Sequence, residues 1–350
     1  MPGGWSAGLD TEWFEGFRRY WLERYDWRAA ERALNQFPQF LAQIEGIDLH
    51  FYHVRGEGPS PCPLILTHGW PGSVREFLDV IDPLTRPSAY GGSPDDAFTV
   101  VIPSLPGFGY SHAPTRPIQA RTTARLWHTL MTDVLGYERY AAQGGDIGFG
   151  VTLFQALDFP KSVSGIHLNL AVVPPPGPDS AAATKRWAAA AARYDSEQMD
   201  YLRLQMNKTQ TVAAALVDSP LGTATWIAEK FWAWSDNDGS LDRIISKDDL
   251  LTNIMLYLVT DSIDTSLWFY RGIRDELGGN VHPARYCAVP TAIAQFPKDY
   301  PIGRPPRDML EKWYNVVHFA EMPRGGHFAA FEQPELFVAD VRAGLRGARA

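Results

Sequence analysis

Apolar residues follow two rhythms along this chain, and the points where one gives way to the other divide it. Between residues 10 and 36 the spacing is helical, in WFEGFRRYWLERY and WRAAERALNQF, with Asp10 and Asp26 set to cap the two starts. QIEGIDLHFYHVRG (43–56) then alternates as two short strands about Glu45-Gly46. CPLILTHG (62–69) is a continuous apolar run, the mark of a strand buried on both faces. After it the pattern predicts helix at about 73–84, strand FTVVIP at 98–103, helix at about 122–136, strand YAAQGG at 140–145, helix at about 148–158 and strand VSGIHLNL at 163–170. Strand and helix alternating at this spacing imply βαβ units and a mostly parallel sheet flanked by helices.

Near Val173 the rhythm changes. PPPGPDS (174–180) breaks the chain, and from about 183 to 278 the pattern is helical: TKRWAAAAARY, GTATWIAEKFWAW, then DDLLTNIMLYLVTDSIDTSLWFYRGI as one long run. Strand patterning resumes at RYCAVPTAIAQF (285–296) and VVHFAEMP (316–323), and an amphipathic helix closes the chain at about 333–346. The expected organisation is an N-terminal helical and meander region (1–60), the first part of an α/β core (61–175), a helical cap (176–280) and the second part of the core (281–350). Ligands in open α/β sheets bind at the carboxyl ends of the strands, so the cap would roof the site.

Composition narrows the function classes. A chain of 350 residues, 45% apolar, can bury a large core. Its net charge of −8 and the lack of basic runs argue against a nucleic-acid partner. No run of apolar residues is long enough to span a bilayer, and the opening MPGGWSAGLDTEWF lacks the features of a signal peptide. Cys62 and Cys287 both lie in apolar runs, which fits a reducing cytoplasm better than a disulfide framework. The 12 tryptophans suggest an aromatic-lined pocket for an apolar ligand.

Three glycine-containing motifs leave predicted strands at that same edge: Thr67-His68-Gly69-Trp70-Pro71, Gly144-Gly145-Asp146-Ile147-Gly148 and Arg324-Gly325-Gly326-His327-Phe328. The middle one has the frame of a nucleophile elbow, a sharp strand-to-helix turn that usually carries serine. Here its tip is Asp146. Other candidates point elsewhere: His50 and His53 sit three apart in a strand and cannot share a metal, and His167 in an apolar strand reads as a core histidine.

HGWPGS, PSLPGFGYS, QGGDIGFG, DSPLGTATWIAEKF, LLTNIMLYLVT and MPRGGHFAAFEQPE together resemble the α/β-hydrolase-fold epoxide hydrolases of the microsomal type, over nearly the whole chain from about Trp5. The leading residues resemble only the latter part of that family's N-terminal region, so no membrane anchor is expected. An aspartate at the elbow then makes chemical sense. A carboxylate can open the strained ring by in-line displacement without first losing a proton. Asp146 would be esterified, and His327 would act as general base on the water that cleaves the ester. A serine would form an ether that water could not cleave.

The resemblance implies the remaining roles. Asp299 matches the acid that orients the histidine, with Glu321 as runner-up, while Asn169 occupies a position some relatives use for that acid. Tyr201 and Tyr270 match two cap tyrosines that donate to the epoxide oxygen, and the backbone N–H groups of Trp70 and Ile147 match the oxyanion hole. Trp226 and Trp268, near the cap motifs, are candidate substrate contacts. Neither cofactor nor metal is expected; the partner is a small apolar epoxide, and a homodimer is left open. Two other readings remain: a haloalkane dehalogenase, which would call for tryptophan where Ile147 stands, and a non-catalytic binder, which would be expected to lose one of the three reactive groups.

Overall fold

The side chain of Asp10 accepts the N–H groups of Glu12 and Trp13, and that of Asp26 accepts the N–H of Arg28, so the two capped starts open helices Thr11–Glu23 and Trp27–Leu34. The computed structural model describes residues 4–177 and 181–349, and the end of the PPPGPDS segment lies outside them. Strands β1 (Gln39–Ile44) and β2 (Ile47–Val54) form a hairpin in which Glu45 and Gly46 both take positive φ, 51° and 80°, as a tight antiparallel turn requires.

Six further strands complete one sheet: β3 (Cys62–Thr67), β4 (Phe98–Pro103), β5 (Tyr140–Gly144), β6 (Val163–Leu168), β7 (Cys287–Gln295) and β8 (Tyr314–Glu321). Their order is β1-β2-β4-β3-β5-β6-β7-β8, with β2 antiparallel to its neighbours and β3 to β8 parallel. All residues of β4, β5 and β6 are buried, because helices cover both faces. From β3 the chain steps outward to β4 and then returns to the other side at β5. The carboxyl ends of β3 and β5 therefore flank a topological switch point, where an open sheet leaves a crevice.

Between β6 and β7 the described chain is helical: Ala182–Gln198, Asp200–Asn207, Thr209–Val217, Pro220–Trp234, Lys247–Val259 and Ile263–Leu277. The single long run expected at its end is two helices, broken where Asp261 turns to φ 49°. Hydrogen bonds tie this block to the sheet edge. Asn253 Nδ2 donates to the Pro71 carbonyl (2.8 Å), Tyr257 to that of Gly72 (2.6 Å) and Thr265 to that of Gly107 (2.6 Å). The N-terminal helices brace it from outside, through Tyr20 to Asp248 (3.0 Å), Tyr25 to Thr252 (3.1 Å) and Trp5 stacked on Trp232 at 4.3 Å.

The turn after β5 makes the closest approach of glycine to backbone among the described residues. A Cβ on Gly144 would meet the Gly148 carbonyl oxygen at 2.1 Å, and one on Gly148 would meet that of Thr67 at 2.0 Å. Both neighbours are backbone and cannot step aside. Gly148→Ala is therefore expected to lower stability by at least about 1–3 kcal/mol, the range for overpacking a full core. Gly16→Ala, on the open face of helix Thr11–Glu23 with nothing within 4 Å, should instead raise it by about 0.5–1 kcal/mol. Denaturant midpoints that shifted in the same direction, or that rose for Gly148→Ala and fell for Gly16→Ala, would contradict this account.

Candidate active site

Asp146 follows β5 and opens helix Ile147–Asp158 with φ 48° and ψ −125°, a conformation that costs a residue with a side chain on the order of 1–3 kcal/mol. The strain projects the carboxylate away from the helix and toward the end of β3. There the Trp70 N–H donates to Oδ1 at 2.9 Å. The remaining oxygen, Oδ2, faces His327 Nε2 at 3.2 Å and accepts the Tyr300 hydroxyl at 3.2 Å.

His327 is positioned by its backbone as much as by its ring. Its N–H donates to the carbonyl of Trp234 at 2.8 Å, at the end of a helix of the inserted block. On either side of it, the Gly326 and Phe328 N–H groups donate to the two oxygens of Glu332, each at 2.9 Å. Its Nδ1 lies 2.8 Å from Asp299 Oδ1, which also accepts the Tyr300 N–H at 2.8 Å. Asp299 is 2% exposed and follows β7, whereas Glu321, the alternative acid, stands exposed at the end of β8. Asn169 accepts Gln143 Nε2 at 2.8 Å through its Oδ1 and packs against Gly145.

Two cavities meet at Asp146. One, of about 100 Å³, is apolar: Phe149, Leu170 and Ile273 line it together with the rings of Tyr201, Tyr270 and Tyr300. The other, of about 20 Å³, is bounded by His327, Glu76, Asn169 and the backbone of the Thr67–Trp70 turn. A single water needs roughly 10–15 Å³ and a few polar partners, so the second cavity is water-sized. Above the first, Tyr201 and Tyr270 meet edge-on at 6.2 Å, and Trp70 packs on both at 5.7 and 5.8 Å.

Burial alone would push the His327 imidazole down, but the charge of Asp299 and the hydrogen bonds to Asp146 and Asp299 outweigh it and raise the group to about 10. Burial likewise works against the Asp146 carboxylate. The His327 partner and the N–H groups of Trp70 and Ile147 prevail, holding it below the usual range. The resting site is thus an ion pair, carboxylate against imidazolium. Burial, with the Asp146 charge adding to it, lifts the Tyr201 phenol far above its ordinary value, and burial with the neighbouring Tyr201 and Asp146 does the same for Tyr270. Both keep their protons at neutral pH and can donate them.

The structure brings Asp146, His327, Asp299, Tyr201, Tyr270 and the Trp70 and Ile147 N–H groups together. It does not bring Trp226 and Trp268 to them. Trp268 precedes Tyr270 by two residues, which on a helix is the opposite face, and it borders an outer depression beside Pro117 and Lys208. Trp226 Nε1 donates to Gln205 at 2.9 Å, pinning one helix of the block to another. Four nearby groups escaped the sequence reading: Tyr300, Glu76, Glu332, and Lys230, whose ammonium lies 4.5 Å from the centre of the Tyr201 ring. Adjacency to Asp299 was the one available signal for Tyr300. Nothing local marked the others, since a glutamate after HGWPGS or a lysine in a helix reads as surface.

Helices on both faces of this sheet, and reactive groups on loops at the carboxyl ends of β5, β7 and β8, are the architecture of an α/β hydrolase. A family model described as "alpha/beta hydrolase fold" matches residues 63–224, and one described as "Epoxide hydrolase N terminus" matches residues 1–77. The chain belongs to the epoxide hydrolase family. It is 42% identical over 351 residues (99% of this chain, 78% of the relative) to a Stigmatella aurantiaca protein provisionally named an epoxide hydrolase. It is 35% identical to "Epoxide hydrolase 1" of Oryctolagus cuniculus, over 95% of this chain and 80% of that one. The crystal structure of juvenile hormone epoxide hydrolase from the silkworm Bombyx mori superposes with a TM-score of 0.87 at 33% identity, covering 99% of this chain and 87% of that chain.

Three buried groups near the site bind protons more tightly than they would in the unfolded chain. Burial pushes the Glu76 carboxyl up to about 8 and that of Glu332 to about 7, and His327 stands at about 10. A raised value means stability that is complete below the unfolded pKa, near 4.5 for the carboxyls and 6.5 for the histidine, and lost as pH rises through the folded value. Burial lowers His50, His68 and His282 to about 4, and their opposing contribution is complete once pH passes the unfolded value of 6.5. The melting temperature should therefore fall as pH is raised from about 7.5 to 9, and Glu76→Gln should flatten the part of that fall near pH 8. A melting temperature that is level or rising across this window would overturn the assignment.

Proposed function

We propose that this protein hydrolyses an apolar epoxide to a vicinal diol in two steps, through an ester on Asp146. One observation carries the reading: the Asp146 carboxylate forms the wall between an apolar cavity bearing protonated phenols and a water-sized cavity bearing His327. Substrate reaches the carboxylate from one side and water from the other. The names of the relatives agree with hydrolysis of an epoxide.

In the first step Asp146 Oδ2 attacks a ring carbon, the C–O bond breaks, and Tyr201 or Tyr270 supplies a proton to the departing oxygen. Esterification removes the negative charge of Asp146, and with it much of what held the His327 proton, which then passes to the phenolate left by ring opening and restores the tyrosine. The imidazole, still oriented by Asp299, can then take a proton from water in the small cavity. Hydroxide adds to Cγ, and the charge that develops on Oδ1 meets the Trp70 and Ile147 N–H groups. Collapse breaks the Cγ–Oδ2 bond and releases the diol, and Asp146 keeps one oxygen from water.

The described residues of the 176–280 segment act in this reading as a cap that contributes the two tyrosines and excludes bulk water. The walls of the larger cavity favour an apolar substrate. Cys62 and Cys287 are buried free thiols, which supports a reducing, cytoplasmic setting. No helix among the described residues is long and apolar enough to cross a membrane.

His327→Gln tests the two half-reactions separately. It should still consume about one equivalent of styrene oxide, gain the substrate's mass on the peptide holding Asp146, and then stall. Failure to react at all, or wild-type single turnover in ¹⁸O-water that labels the diol without first labelling Asp146, would refute the ester. Asp146→Ala should lose more than about 10²-fold in activity while remaining folded. Tyr201→Phe and Tyr270→Phe should each slow ring opening by roughly 10- to 10³-fold in rapid-quench measurements, and donors lie elsewhere if neither does.

A further inference from the structure

Among the described residues, Tyr300 is the one phenol with a hydrogen bond to the Asp146 carboxylate. Its hydroxyl donates to Asp146 Oδ2 at 3.2 Å, the same oxygen that faces His327 Nε2 at 3.2 Å. The ring lies over the imidazole at 4.8 Å with an interplanar angle of 26°, and the Tyr300 N–H donates to Asp299 Oδ1. Three members of the site are thus held by this single residue. Tyr201 and Tyr270 have no such contact with Oδ2 among the described residues, and the Trp70 N–H bonds the other oxygen.

The two carboxylate oxygens are not equivalent. Oδ1 is tied to the backbone and lies against Gly69, where an added Cβ would stand only 2.3 Å away. Oδ2 adjoins the cavity that Tyr300 shares with Tyr201 and Tyr270, so Oδ2 is the oxygen that becomes bonded to the substrate carbon. When the ester is cleaved, the same atom departs and develops negative charge.

Resting on the two-step reading above, the geometry points to Tyr300 as a third catalytic tyrosine, one that serves cleavage of the ester rather than opening of the ring. Its hydroxyl donates a hydrogen bond to Oδ2 as the Cγ–Oδ2 bond breaks. The proton that completes the diol is the one His327 took from water, delivered from Nε2 to the same oxygen, so Tyr300 ends the cycle unchanged. During ring opening the hydroxyl must swing off the attacking lone pair of Oδ2. Its presence slightly weakens the nucleophile in the first step and stabilises the leaving group in the second.

Tyr300→Phe keeps the ring that stacks on His327 and removes only the hydroxyl. With styrene oxide in rapid-quench single turnovers, followed by mass spectrometry of the intact protein, alkylation of Asp146 should be unchanged or up to a few-fold faster. Decay of the ester should slow by about 10- to 100-fold, as expected when one donor to a developing charge is lost, and the esterified protein should accumulate in the steady state. Slower alkylation with normal ester decay would make Tyr300 a ring-opening donor, and two unchanged rates would make it packing; either result overturns the proposal. Melting curves and the His327→Gln trap accompany the experiment. If Tyr300→Phe does not fold, Tyr300→His, which retains a ring N–H donor, is measured instead and should cleave the ester faster than Tyr300→Leu. Failure of the ester to appear even in His327→Gln would count against the two-step reading itself, whereas an ester that forms there and decays normally in Tyr300→Phe counts against this inference alone.

Discussion

Everything at this site depends on keeping one buried carboxylate ionised at the tip of a strained turn. Asp146 sits at φ 48°, where a side chain is disfavoured, and its charge is taken out of bulk water. Neither condition would persist without compensation. The backbone N–H of Trp70 and the imidazolium of His327 supply it, one on each oxygen. The glycines at 144 and 148 allow the close approach that brings the turn within reach of β3. A fold that failed to bring the ends of β3, β5 and β8 together would leave an unpaired charge in an apolar interior.

In the proposed two-step reaction, the same ion pair would make one histidine unavailable in the first step and basic in the second. While Asp146 is charged, His327 holds its proton up to about pH 10 and serves as a donor. Once Asp146 is an ester, its share of that stabilisation is gone and Asp299 alone remains. In the proposed reaction, formation of the ester is what switches the base on. Water could not be activated prematurely, because before the first step the imidazole has no free lone pair to offer.

The helical block contributes to the site through its backbone connections as well as its tyrosines. Trp234 at the end of one helix fixes the His327 N–H, while Asn253 and Tyr257 from another hold the Pro71 and Gly72 carbonyls beside the Trp70 donor. The N-terminal helices in turn brace Asp248 and Thr252 on that second helix. Elements 228 residues apart in sequence, from Tyr20 to Asp248, are thereby coupled to the geometry of a few atoms.

Local chemistry in the sequence determined the elements and the reactive groups. Unbroken apolar runs required strands covered on both faces, Asp10 and Asp26 could cap because their side chains need only reach the next turn, and a glycine-bracketed aspartate after a strand could be read as an elbow. Each of these is a short-range constraint. The two-helix break at Asp261 escaped because a single positive-φ residue leaves no mark on hydrophobic periodicity. Trp226 and Trp268 were misjudged because which face of a helix looks into a cavity depends on its packing partners. Tyr300, Glu76, Glu332 and Lys230 become neighbours of Asp146, His327 and Tyr201 only when loops from separate strands and a helix of the inserted block converge. The division of space around Asp146 into an apolar side and a water-sized side arises there too, since a cavity is a property of the gaps between elements and no one segment encodes it.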